Sequence, residues 1–177
     1  TGNYVHATNG HHWADFDQSR YDAQAHNADA AENHWKYREG SETRYWALNR
    51  SLSTIRERNA SPAMAMVNIM KVVPGKSSLL ASAMREIREA RDQVGKSRES
   101  YVYWLANSGA WGTYMMVLPR ENWADFDGPR GENRAALAQV HGEAESRLIM
   151  NRFSEAEVSI NSAVYVHRPD LSYNPDK

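Results

Sequence analysis

From residue 65 onward the apolar positions follow two distinct periods. Ala65–Val73 (AMVNIMKVV) is a nearly unbroken apolar run rich in Val and Ile, closed by Pro74-Gly75. That pattern predicts a strand ending in a turn. Leu80, Met84, Ile87, Arg91 and Val94 then recur at helical spacing, with charges opposite. They predict a helix from Ser77 or Ser78, either of which can cap it, to about Val94, with Gly95 as its stop. Glu99–Ala106 (ESYVYWLA) reads as a strand, Asn107-Ser108-Gly109 as a turn, and Gly112–Leu118 as the returning strand. A second helix is expected from about Asn133 to Met150, with Leu137, Val140, Ala144 and Leu148 on its buried face. Val158–His167 (VSINSAVYVH) alternates and reads as the last strand. The order β-α-β-β-α-β is the split, ferredoxin-like unit of an α+β fold. It predicts one antiparallel sheet over Ala65–His167, in spatial order 4-1-3-2, with both helices on one face.

The chain also repeats itself. Trp13-Ala14-Asp15-Phe16-Asp17 recurs 110 residues later as Trp123-Ala124-Asp125-Phe126-Asp127, and the same offset pairs Gly2 with Gly112 and Tyr4 with Tyr114. This is an internal duplication. Residues 63–177 supply a complete unit, and residues 1–62 only the C-terminal half of one. In that half, Asn3–Thr8 reads as a strand, Arg20–Arg38 as a helix and Leu48–Arg56 as the closing strand. By analogy with the sister copy, a β-α-β stretch of roughly 45 to 60 residues is expected before Thr1 in the parent protein, or a partner chain in its place.

Composition narrows the classes. Lys+Arg of 21 against Asp+Glu of 22 leaves a formal charge of -1. There is no basic field for nucleic acid, and no apolar run approaches the length that spans a bilayer. The absence of cysteine removes disulfides, thiol catalysis and Cys-based zinc sites. It does not choose between cytoplasm and periplasm. Six Trp and nine Tyr suit either a cavity lining or a core with partly exposed rings.

VNIMKVVPGK, the amphipathic helix, YVYWLANSG, GTYMMVLPRENWADFD and VSINSAVYVHRPDLSYNP together resemble the dimeric α+β barrel superfamily. That group includes antibiotic-biosynthesis monooxygenase, NIPSNAP-like and EthD-like proteins. The resemblance covers Ala65 to about Pro175, with half a copy before it, and rests on element order rather than a catalytic signature. It implies that two ferredoxin-like sheets form a barrel, here between tandem repeats, and that homo-oligomers can form.

In such a barrel the sheet face away from the helices is the lumen. Alternation assigns Val158, Ile160, Val164 and Val166 to the helices and Asn161, Tyr165 and His167 to the lumen. Asn68 with Met66 and Met70, and Trp104 and Tyr114 on the hairpin, are the other expected lumen residues. Tyr4 and His6 are their counterparts in the first copy. An apolar, aromatic cavity with a few polar groups suits a small apolar molecule; alternatively these groups only bond one another in a filled barrel. His6 and His167 are the candidate catalytic residues. Five of the seven histidines, His6, His11, His12, His26 and His34, crowd the first fifth of the chain. Haem or metal binding there is an alternative, but no ligand spacing supports it, and no cofactor is expected. The WADFD motif reads as a structural connector, its rings on the core and its aspartates holding a turn or capping the next helix; paired carboxylates for acid–base work are the other reading. The expected function is small-molecule binding, with cofactor-independent oxygenation or isomerisation as the enzymatic form. The alternative is a non-catalytic assembly module with a packed barrel.

Overall fold

A computed structural model describes residues 44–57, 61–105, 112–127 and 131–168. All belong to one compact unit beginning at Arg44. The calls on Asn3–Thr8, Arg20–Arg38 and the 107–109 turn lie outside the described residues. In order, the elements are β1 (Trp46–Leu48), β2 (Met64–Val72), α1 (Ser77–Gln93), β3 (Tyr101–Leu105), β4 (Thr113–Arg120), a 3-10 turn (Trp123–Phe126), α2 (Glu132–His141), α3 (Glu143–Ala156) and β5 (Glu157–Val166). The fold is α+β, with one five-stranded sheet in the order β1-β3-β4-β2-β5 and every pair antiparallel. The four strands from Met64 onward follow the expected order 4-1-3-2. β1 adds a fifth strand beside β3.

Period-2 alternation decides which sheet face the helices cover. Met70 and Val72 of β2 and Val102 of β3 are buried with Leu80 and Met84 of α1, and Tyr114 and Met116 of β4 pack against them. All five sheet residues share one face. The flank of the same apolar face of α1 carries Ala83, Ile87 and Ala90, buried against Ala136 and Leu137 of α2 and Ile149 of α3. Alanines at the contact let the helix axes approach closely. Phe153 of α3 touches both clusters and joins them. Arg152 makes two hydrogen bonds to the Glu86 carboxylate, at 3.0 and 2.7 Å, tying α3 to α1 across this layer.

Four expectations need correction. The single helix expected over 133–150 is two, broken at Gly142, whose φ of 84° and ψ of 161° lie in a region essentially reserved for glycine. The break rotates α3, so Ser146 and Ile149 are buried while Ala144 and Leu148 are exposed. Ser146 is tolerated inside because its Oγ donates to the Arg134 carbonyl at 3.1 Å. Neither Ser77 nor Ser78 caps α1; the N-cap is Lys76 and makes no side-chain bond there. Leu48–Arg56 is not a continuous strand either. Beyond Leu48 the chain turns, Leu52 enters the core, and the buried Ser53 Oγ accepts the Val102 N–H at 2.9 Å, replacing a ladder carbonyl. A single bridge, Thr54 to Ser100, follows. Finally, Ile160, Val164 and Val166 lie on the helix side of β5 but are exposed.

Candidate functional site

The sheet face turned away from the helices is built by the complementary positions. Cross-strand pairing places Val67 opposite Val117 and Ala163, Ile69 opposite Met115 and Asn161, and Tyr103 opposite Met115 and Leu48. Val67, Ile69, Tyr103, Met115 and Val117 are half-buried, and Tyr165 and Asn161 extend the face onto β5. The result is an apolar surface with phenols and one amide at its margin. Burial raises the Tyr103 pKa, so its phenol is a neutral hydrogen-bond donor.

The register divides the residues expected to line the lumen. Asn161, Tyr165 and, by continued alternation, His167 lie on the face away from the helices. The His167 backbone N–H continues the β2–β5 ladder, donating to Ala63 at 2.8 Å. Asn68, Trp104 and Tyr114 instead share the face of Met70 and Val102, on the helix side. Asn68 Oδ1 accepts a hydrogen bond from Ser162 Oγ at 2.7 Å, and Tyr114 packs on the helix cluster. Both faces of YVYWL carry rings, so a one-residue difference in register exchanges Tyr103 for Trp104. Tyr103 is the residue that sequence reasoning missed. Tyr4, His6, His11, His12, His26 and His34 lie outside the described residues. Among the described residues no cluster of three His, Asp or Glu side chains is placed to hold a metal ion, and no helix is long and apolar enough to cross a membrane.

The second WADFD copy forms the 3-10 turn and one wall of a polar cleft. Asp125 Oδ2 accepts the backbone N–H groups of Glu121 at 2.7 Å and Asn122 at 3.3 Å. The carboxylate therefore holds its own turn and does not cap α2, whose N-cap is Gly131. Trp123 is 63% exposed and does not anchor the connector. Its ring meets Phe126 at 5.5 Å, and the Arg120 guanidinium sits 5.6 Å from the Phe126 centroid. The cleft, about 470 Å³, is lined by Arg56, Ser97, Arg98, Glu99, Pro119, Arg120, Ala124 and Asp125. An overall charge near zero hides this local gathering of three arginines, which no spacing in the sequence announces.

The Asp125 pKa is lowered, first by the Glu121 N–H bond. A depressed carboxyl contributes stability above its unfolded pKa and loses it as pH falls through the folded value. Amide resonances of Glu121 and Asn122 are therefore expected to titrate with a midpoint below the ordinary carboxylate range, and to stop doing so in Asp125→Asn. An NMR pH series on the two proteins checks this. Compared with family models, curated proteins and solved structures, the chain matches none.

Proposed function

We propose that this chain is a small-molecule-binding protein of the dimeric α+β barrel type, which takes an apolar or aromatic molecule against the sheet face opposite its helices. The observation that carries the reading is the register, which gathers Val67, Ile69, Tyr103, Met115 and Val117 on that face. The 4-1-3-2 order of the strands from Met64 onward is that of a ferredoxin-like unit, the building block of such barrels. Apolar walls with a few oriented polar groups are the usual make-up of a small-molecule site. Here the Tyr103 phenol and the Asn161 amide supply the polarity. Cofactor-independent oxygenation or isomerisation is the enzymatic form of this reading, with the phenol as donor to a developing oxyanion.

A specific observation favours a second reading, an assembly module. Among the described residues β5 lies at the edge of the sheet, ten residues long, with Ile160, Val164 and Val166 exposed along it. It contains no Pro or Lys to discourage strand addition. Antiparallel pairing with a second copy about Ser162 sets Ile160 against Val164 and Glu157 against His167, so the edge is self-complementary.

Titration of the methyl and ring resonances with 1-naphthol separates the two. The binding reading expects saturable shifts at Val67, Val117 and Tyr103 that disappear in Val117→Lys. Shifts absent from this face, together with a sedimenting dimer that Val164→Lys dissociates, would replace it with the assembly reading.

A further inference from the structure

The cleft beside the WADF turn gathers three arginines, and we propose that it binds the oxyanion of a small molecule, a phosphate or carboxylate group. Among the described residues, Arg56, Arg98 and Arg120 line it together with Glu99 and Asp125. Arg98 is neutralised from outside the lining by Glu132 at 2.9 Å, which also receives Arg91 at 3.2 Å. Arg56 and Arg120 have no such partner within 4 Å among the described residues. Arg56 donates to the Ser97 carbonyl at 3.0 Å. Arg120 donates through Nη1 to the Pro119 carbonyl at 3.0 Å. Its Nε is buried with no hydrogen-bond partner.

Both carboxylates already accept hydrogen bonds within the protein, although Asp125 also lies in the field of Arg120. Asp125 Oδ2 receives two backbone N–H groups, and Glu99 receives the Tyr101 hydroxyl at 2.6 Å. Two guanidiniums, each seen donating to a single backbone carbonyl, therefore border one cleft. A planar fork matches the two oxygens of a carboxylate or phosphate. An arriving oxyanion supplies acceptors that the protein does not. Burial, followed by the nearby Arg98 charge, lowers the Arg120 pKa, while Asp125 and Glu132 act in the other direction. At about 470 Å³ the cleft exceeds what an oxyanion alone fills, which leaves room for an organic body. Glu99 and Asp125 exclude a ligand that is negative throughout. The proposal is independent of the sheet face and stands or falls separately from the reading given above.

The test is an NMR titration of the full chain at constant ionic strength, with inorganic phosphate in one arm and acetate in the other. The signals followed are the arginine Nε–H groups and the amides of Ser97, Arg98 and Ala124. Saturable shifts confined to these signals are expected, with affinity weakened about tenfold in Arg56→Ala and in Arg120→Gln, the loss of one charge-assisted contact. Arg134→Ala, an exposed arginine paired with Glu143 outside the cleft, is expected to bind as the parent does. Arg56 is exposed, so its truncation keeps the test valid even where Arg120→Gln disturbs the fold. Saturation in the phosphate arm alone assigns a phosphate ester, and in the acetate arm alone a carboxylate. Shifts that stay linear in both arms, or that survive Arg56→Ala undiminished, overturn the proposal.

Discussion

Truncating Leu137 to alanine is expected to remove about 3 kcal/mol of folding stability, whereas the same change at Leu148 costs under about 0.5 kcal/mol. Leu137 is wholly buried where α1, α2 and α3 meet, and Leu148 is 56% exposed on α3. The lost transfer energy and the cavity left behind add at Leu137, because Ala83, Ala90 and Ala136 around it are too short to close the gap. At Leu148 the removed methyl groups already face solvent. One continuous helix over 133–150 would place both leucines on the same buried stripe and give similar costs. Urea unfolding of the two variants, read as midpoints at unchanged slope, therefore tests the break at Gly142 as well as the core. Comparable losses would falsify the two-helix arrangement.

Met70→Ala is expected to cost about 2–4 kcal/mol, and Ile69→Ala clearly less. These neighbours point to opposite faces of β2. Met70 is buried with Leu80, Met84 and Val102, while Ile69 is half-buried on the face away from the helices. The ranking reverses when ligand binding is read instead of stability. Ile69→Ala weakens the binding of an aromatic probe to the sheet face, and Met70→Ala leaves the affinity of the remaining folded protein near that of the parent. A pair that lost stability equally, or a Met70 variant that alone lost binding, would place the ligand face on the helix side.

Much of this fold is legible locally. The run Ala65–Val73, the helical stripe of Leu80, Met84 and Ile87, and the alternation along Val158–Val166 each carry their period within a dozen residues. The turn at Pro74-Gly75 is equally local, with Gly75 at φ 82°. The WADFD motif at Trp123–Asp127 is legible in part. Its pattern implies aspartates that hold a turn or cap the next helix, and Asp125 does the first; it also implies a tryptophan on the core, whereas Trp123 is exposed.

The α+β class, the succession of the four strands from Met64 onward and the parity of β5 are encoded locally, because each depends on spacing between near neighbours and on the two-residue repeat of a strand. Which face of YVYWL meets the helices is set by strand pairing, since both faces carry rings and the pairing partner alone settles the register. Tertiary packing also decides that Gly142 ends a helix rather than riding inside one. That depends on whether α3 gains more by turning Ser146 and Ile149 onto α1 and α2 than by continuing straight. The arginine cleft is the clearest case. Arg56, Arg98 and Arg120 are separated by 42 and 22 positions in the chain. They meet only because β1 lies beside β3 and β4 returns beside it, and no local pattern encodes a convergence that strand pairing creates.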